Sequence, residues 1–142
     1  MAEAEVEVWE AVRRFQDEVA DLVEVKEQQL TDRLRSISFQ PTNSDAAPVW
    51  LAISQWEVVV QIGKGTRFEL DVDERGRREL EELLRAAAGG RVEETTRRLW
   101  LAFRVWLSDG TVKAGRVMGR GYGGRRATRR YAPWCPSGGQ SD

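Results

Sequence analysis

Histidine is absent from the sequence, and cysteine occurs once, at Cys135. Without histidine, which is the commonest general acid–base in enzymes, neither a Ser-His-Asp triad nor a Cys-His pair can be assembled from this chain. The usual zinc sites, which combine cysteine with histidine, are excluded as well. A single thiol forms no internal disulfide, which favours a reducing compartment. We therefore expect a cytoplasmic protein that is not an enzyme and that holds neither a metal nor another cofactor.

Long apolar runs are also absent. No stretch of the sequence approaches the roughly 20 apolar residues that a membrane-spanning helix requires. The N-terminus lacks the basic start and the apolar centre of a signal peptide, because its first turns are acidic: Glu3, Glu5, Glu7 and Glu10. The sequence therefore predicts no contact with a membrane.

The basic residues are unusual in type and in position. Arginine outnumbers lysine by 19 to 3, a usage typical of GC-rich bacterial genomes, so we interpret the protein as bacterial. Residues 1–94 contain 21 acids and 12 bases, a net charge of minus nine, whereas residues 95–141 contain one acid and ten bases, a net charge of plus nine. The near-neutral total therefore conceals two regions of opposite charge.

The N-terminal 40 residues show the spacing of an amphipathic helix. Apolar residues alternate at spacings of four and three in Val8, Val12, Phe15, Val19 and Leu22, and after Lys26 the pattern resumes one residue late in Leu30, Leu34 and Ile37. A helix over residues 4–37 would be roughly 50 Å long, which exceeds the length of a small sheet. It is therefore expected either to lie over the sheet with a frayed end or to pair, as in a coiled coil, with the helix of a partner or of a second copy. The slip after Lys26 argues against an ideal coiled-coil register.

Two hairpins and a second helix follow a Pro-containing linker at residues 40–48. Residues 49–62 read as one long strand with a bulge near Ser54, and Gly63-Lys64-Gly65 turns the chain into an edge strand at residues 66–72. Asp71 or Asp73 is expected to cap a helix over residues 74–88 that ends at Gly89-Gly90. The second hairpin spans residues 95–118 and turns at residues 108–111.

These elements predict an α+β fold with the order α-β-β-α-β-β. A long N-terminal helix (residues 1–40) packs with a sheet domain (residues 48–119), whose four-stranded antiparallel sheet consists of two hairpins joined by a helix. Residues 120–142 are rich in arginine and glycine and have few apolar residues, so they are expected to form a flexible basic tail.

Tryptophans define the first candidate surface. In the second hairpin Leu101, Phe103 and Val105 share one face, yet Trp100 and Trp106 occupy the other, so both faces of the sheet are expected to be covered. Tryptophan is enriched at binding hot spots, although each of these residues also fits a protein core. The predicted partner-binding residues are Trp9, Val12, Phe15, Trp50, Trp56, Trp100 and Trp106.

The basic tail defines the second candidate surface. Arginines neutralise phosphates and aromatic side chains stack on bases, so this composition is found in flexible binders of single strands and RNA. Alternatively, the positive charge of the tail balances the acidic part of the same protein. The predicted nucleic-acid-binding residues are Arg120, Tyr122, Arg125, Arg126, Arg129, Arg130, Tyr131 and Trp134.

Two hypotheses about function follow. The first is a non-enzymatic bacterial adaptor or accessory module that binds a partner protein, or a second copy as a homodimer, through its N-terminal helix and its tryptophan-bearing sheet face. The alternative is a nucleic-acid-binding accessory protein that acts through the tail. The adjacent carboxylates Glu81-Glu82 and Glu93-Glu94 are interpreted as surface residues, because neighbours in a strand face opposite ways and those in the helix lie among arginines.

Overall fold

The structure is a computed structural model that describes residues 2–119 and 126–135. Within these ranges it contains two helices and nine strands in two antiparallel sheets, which confirms the α+β class. The helices are α1 (Glu3–Glu18) and α2 (Glu74–Ala88). The strands are β1 (Val23–Thr31), β2 (Leu34–Pro41), β3 (Val49–Ile53), β4 (Glu57–Ile62), β5 (Thr66–Asp71), β6 (Val92–Thr96), β7 (Trp100–Trp106), β8 (Val112–Met118) and β9 (Ala127–Arg130).

The two sheets differ in how they are connected. The first sheet is a meander in which β1 to β5 pair in chain order, and the second sheet has the order β8-β7-β6-β9. The last strand, β9, therefore pairs with β6 at the edge opposite β8. The predicted single four-stranded sheet is wrong, because β1, β2, β6 and β9 were not anticipated as strands and one predicted strand is in fact two.

The long N-terminal helix is the largest error of the sequence prediction. Helix α1 ends at Glu18, and the amide of Leu22 donates to the carbonyl of Val19 (2.8 Å) as the chain turns into a hairpin of β1 and β2. In β2, Ile37 and Phe39 are fully buried and alternate with less buried neighbours. Leu30, Leu34 and Ile37 have helical spacing in the sequence but lie in strands, so the predicted coiled-coil helix over residues 4–37 is absent.

The predicted long strand over residues 49–62 is also wrong, because the chain reverses at Ser54. The Ser54 hydroxyl accepts hydrogen bonds from the amides of Trp56 (3.2 Å) and Glu57 (3.1 Å), and this turn joins β3 to β4 as a hairpin. The bulge predicted near Ser54 is therefore a turn between two strands.

Local signals located α2 and the β7–β8 turn correctly. Asp73 caps α2 by accepting a hydrogen bond from the amide of Gly76 (2.7 Å), and Gly90 follows the helix with a φ of 72°, which favours glycine. Between β7 and β8, the Asp109 carboxylate accepts from the amide of Thr111 (2.8 Å) and Gly110 has a φ of 89°. Strand β5 lies at the edge of its sheet, as expected.

The helices and the sheets share one hydrophobic core. Helix α1 packs on α2, which also contacts β4 and β5 of the first sheet and β7 of the second. Phe15 of α1, Phe39 of β2 and Trp134 form an aromatic cluster with ring centroids 5.5 to 6.1 Å apart. Neither described helix is long and apolar enough to cross a membrane.

Part of the predicted flexible tail is a structural element. Residues 126–135, here called the C-terminal segment, contain β9 and the fully buried Trp134. The indole Nε1 of Trp134 donates to the carbonyl of Ala47 (2.8 Å), and its backbone amide donates to the carbonyl of Ala88 (2.8 Å). Trp134 therefore ties the segment to the start of β3 and to the end of α2. Residues 120–125 and 136–142 lie outside the described ranges.

Replacing Trp134 with alanine should lower the free energy of unfolding by about 3–5 kcal/mol, because it opens a cavity in the core and leaves the Ala47 carbonyl without its donor. Urea denaturation followed by circular dichroism measures this loss. The matched control is Cys135→Ala, since this neighbouring side chain is exposed. Equal stability of the two variants would contradict the anchoring role of Trp134.

Candidate functional site

The outer face of the second sheet is the candidate functional site. Strand alternation sends Leu101, Phe103 and Val105 of β7 into the core and leaves Trp100, Arg104 and Trp106 on the opposite side. This alternation matches the sequence prediction. No helix packs on the outer side in the described residues, where the two tryptophans are half-buried and Arg104 is exposed.

Strand register collects arginines from four separate segments on this face. Arg104 of β7 lies opposite Ala114 of β8 on one side and opposite Glu93 of β6 on the other, and Glu93 in turn lies opposite Arg130 of β9. We call the resulting surface the arginine–tryptophan face, and its members are Arg97, Trp100, Arg104, Trp106, Arg116, Arg126 and Arg130. Among the described residues, this face carries five guanidinium groups and one carboxylate, that of Glu93.

Cation–π contacts order the arginines on the face. The guanidinium carbons of Arg97 and Arg116 lie 5.0 and 5.1 Å from the ring centroid of Trp100. The guanidinium carbon of Arg130 lies 4.4 Å from the ring centroid of Trp106. These distances are within the range of favourable contact with the ring quadrupole. Three of the five arginines are therefore held against indoles rather than left to sample all rotamers.

The face contains an open groove of about 570 Å³. Its floor includes the small side chains of Ala102, Ala114, Thr95 and Thr128, which lie on adjacent strands. Larger groups from Trp100, the arginines and Glu93 surround this floor. The groove is thus flat-bottomed and basic, and it is bounded by planar side chains.

A buried carboxylate beneath the face positions β6 and β9. Glu94 points to the side of β6 opposite Glu93 and is 3% exposed, so its interpretation as a surface residue is wrong. It accepts hydrogen bonds from the backbone amides of Lys64 (3.0 Å), Gly65 (2.9 Å) and Thr66 (2.8 Å) and from the hydroxyls of Thr66 (2.7 Å) and Tyr131 (2.5 Å). Glu94 therefore joins the β4–β5 turn of the first sheet to the residue that follows β9.

The turn beneath Glu94 requires glycine at position 63. Gly63 has a φ of 68°, and a Cβ atom built on it would lie 2.7 Å from the hydroxyl of Tyr131 and 2.9 Å from the Glu94 carboxylate. Both the backbone conformation and the close approach exclude a larger side chain. The Gly63-Lys64-Gly65 turn, predicted from its glycines, thus also forms a docking surface for the C-terminal segment.

Burial and the Glu94 carboxylate, in that order, raise the pKa of Tyr131 well above its ordinary value of 10. Burial disfavours the charged phenolate, and the hydrogen bond to the carboxylate stabilises the protonated form. Arg129, whose guanidinium lies 4.6 Å from the Tyr131 ring centroid, acts in the opposite direction but is a smaller influence. The phenol therefore remains protonated and keeps donating to Glu94 at alkaline pH.

The predicted partner-binding residues fall into three groups. Trp9, Val12 and Phe15 of α1 are buried in the core, so they are inaccessible to a partner in this fold. Trp50 and Trp56 are exposed on the first sheet and its β3–β4 turn, at 37% and 59%. The remaining two, Trp100 and Trp106, lie on the arginine–tryptophan face.

The predicted nucleic-acid-binding residues also separate. Arg126 and Arg130 lie on the arginine–tryptophan face, whereas Arg129 is directed to the other side of β9 and donates to the Ser44 carbonyl (3.3 Å). Tyr131 and Trp134 are buried and stabilise the fold. The other three predicted residues lie outside the described ranges: Arg120, Tyr122 and Arg125.

Sequence reasoning missed four residues of this region. Arg97, Arg104 and Arg116 complete the basic face, and Glu94 supports it from below. A signal for Arg104 was present, because it shares the strand face of Trp100 and Trp106. No local signal marks Glu94, whose donors lie 28 to 37 residues away in the sequence.

Comparison with known proteins gives no functional assignment. No protein-family model matches the chain, and no curated protein is significantly similar to it. The function is therefore argued from the chemistry and geometry of the face.

The raised pKa of Tyr131 predicts a specific loss of stability at alkaline pH. Above pH 10 the unfolded chain releases the phenolic proton while the folded chain retains it, so the free energy of unfolding should fall by up to about 1.4 kcal/mol per pH unit. Tyr131→Phe removes this contribution and leaves the other titrating groups in place. The measurement is urea denaturation of both proteins between pH 9 and 11, and a pH-independent difference between them would contradict the prediction.

Proposed function

We propose that the protein is a non-enzymatic accessory protein that binds nucleic acid through the arginine–tryptophan face. The observation that carries this proposal is the convergence of five arginines and two tryptophans, against one carboxylate, on a sheet side that no described helix covers. The proposal combines the two hypotheses drawn from the sequence: it takes nucleic acid as the ligand from the alternative, and the tryptophan-bearing sheet face as the binding surface from the first. Two of the predicted basic residues and two of the predicted tryptophans lie on this single surface.

Ordered guanidinium groups suit an anionic polymer. Each guanidinium is planar and offers several donors that match the oxygens of a phosphate. The contacts of Arg97 and Arg116 with Trp100, and of Arg130 with Trp106, already restrict these side chains, so less conformational entropy is lost when they bind. The face is therefore prepared for phosphate contacts before a ligand arrives.

The acidic character of the whole chain does not oppose binding at this face. Of the 23 acidic residues, 21 lie in residues 1–94, and the formal net charge of the chain is only minus one. At physiological ionic strength the field of an exposed charge decays over about 8 Å, so a bound strand responds chiefly to the charges next to it. On the face those charges are predominantly arginines.

A binding role is also favoured over a catalytic one. Glu94 is the one buried carboxylate of the described residues, and five hydrogen bonds saturate its two oxygens. A carboxylate held in this way has a structural role and offers no free acceptor for a substrate proton. Glu93 is half-buried between Arg104 and Arg130 on the exposed side.

A protein partner is the second candidate, and the exposed indoles of Trp50 and Trp56 favour it. Tryptophan is enriched at binding hot spots, and these two side chains lie on the first sheet and in its β3–β4 turn rather than on the arginine–tryptophan face. Capture of a binding protein that is lost with Trp56→Ala and kept with Arg104→Ala would support this candidate. Self-association of the same kind would appear in sedimentation of the purified chain.

The double substitution Arg104→Ala/Arg116→Ala should weaken binding to a labelled oligonucleotide by roughly tenfold or more at low salt, because two phosphate contacts are lost. The slope of log affinity against log salt should become shallower by about 1.4, which is the value for two contacts to a single strand. Fluorescence anisotropy at several salt concentrations measures both quantities.

The control for this experiment is Arg67→Ala/Arg78→Ala. It removes the same charge from exposed arginines of β5 and α2, which form salt bridges with the exposed carboxylates of Glu69 and Glu74. The control should retain the affinity and the salt slope of the wild type. Equal losses in both double variants would show that net charge, rather than the arginine–tryptophan face, governs binding, and would overturn the proposal.

A further inference from the structure

The shape of the arginine–tryptophan face bears on which form of nucleic acid fits it. Its four strands are spaced about 4.8 Å apart, so β8 and β9 lie about 14 Å from each other before side chains are added. The major groove of B-DNA is about 12 Å wide and admits a helix or a two-stranded ribbon. A four-stranded face is too wide to enter it, and it could meet a duplex only along the outer phosphates.

The planar side chains of the face offer stacking surfaces that a duplex cannot use. The guanidinium groups of Arg97 and Arg116 lie over the Trp100 ring, and that of Arg130 lies over the Trp106 ring. Unpaired bases stack on aromatic rings and equally on guanidinium planes. In a duplex the bases are already stacked on each other, so only a single strand can bring its bases to these groups.

The spacing along β7 suits an extended single strand. Trp100 and Trp106 lie six residues apart on the same side of β7, a separation of about 20 Å. Between them are the small Ala102 and the exposed Arg104, and the groove of about 570 Å³ opens over this part of the sheet. A single-stranded nucleic acid that lies along β7 would thus meet a stacking group, a phosphate-binding arginine and a second stacking group in turn.

From these three observations we infer that the ligand of the arginine–tryptophan face is a single-stranded nucleic acid whose bases stack on the guanidinium–indole pairs at Trp100 and Trp106. This inference rests on the proposed function and specifies its ligand. Phosphate contacts by Arg104 and Arg116 supply the salt-dependent part of the affinity, and stacking supplies the preference for unpaired bases.

The test compares single-stranded and duplex ligands on the full-length protein. Fluorescence anisotropy is measured with labelled oligo(dT), oligo(U) and a mixed-sequence DNA duplex of equal length at low salt. Wild-type protein should bind at least one of the single strands about tenfold more tightly than the duplex. The two single-stranded probes distinguish DNA from RNA, and a preference for either supports the inference.

The stacking contribution is tested with Trp100→Leu and Trp106→Leu. Leucine keeps an apolar side chain on the sheet but provides no ring, so each variant should lose about tenfold in affinity for the single strand. Binding to the duplex should weaken less than binding to the single strand, because the duplex loses only the ordering of the arginines by the ring. The matched control is Trp56→Leu, which removes an exposed indole from the first sheet and should leave every affinity unchanged.

The outcomes separate the inference from the proposed function. If the duplex binds as tightly as the single strands, the inference is overturned while the proposed function holds. Retention of full single-strand affinity in both leucine variants overturns stacking. If neither form of nucleic acid binds, both proposals fall, and binding of polyglutamate in that case would favour an acidic protein as the partner. The ratio of affinities in the wild type decides the question even if a leucine variant does not fold.

Discussion

The arrangement of the two sheets depends on the hydrogen bonds that the buried Glu94 carboxylate accepts. Removing an ionised carboxylate from water is costly unless donors replace its hydration, and here three backbone amides and two hydroxyls do so. The donors belong to the β4–β5 turn and to Tyr131, so the requirement to satisfy one side chain holds three distant segments together. Because Tyr131 directly follows β9, the same requirement fixes the strand that brings Arg130 to the face.

The elements that the sequence predicted correctly are those determined by local chemistry. Asp73 and Gly90 mark both ends of α2, and Gly110 marks the β7–β8 turn, because each of them solves a problem of its own backbone. The end of α1 lacks such a signal, since no glycine or proline lies between Glu18 and Val23. There the pairing of β1 with β2 decides the structure, and spacing alone could not distinguish that strand pair from a longer helix.

The C-terminal segment shows why composition misled the prediction of a free tail. Its arginines supply little apolar area, yet Tyr131 and Trp134 are enough to anchor it, because each buries a ring and finds a hydrogen-bond acceptor. Those acceptors, Glu94 and the Ala47 carbonyl, are 37 and 87 residues away along the chain. The tryptophans of β7 were identified as a surface from alternation, and the same alternation marks Arg104, but the arginines of the other segments required knowledge of the register across four strands.

The same register explains why the face is better suited to binding than to stability. Glu93 lies between Arg104 and Arg130 and relieves repulsion in one row, whereas Arg116 lies opposite Ala102 and gains its favourable contact from the Trp100 ring. Indoles hold guanidinium groups in place without neutralising their charge. The positive field of the face is therefore preserved. Under the proposed function, a bound anion would relieve the repulsion that remains in the free protein and would stabilise the folded chain by linkage.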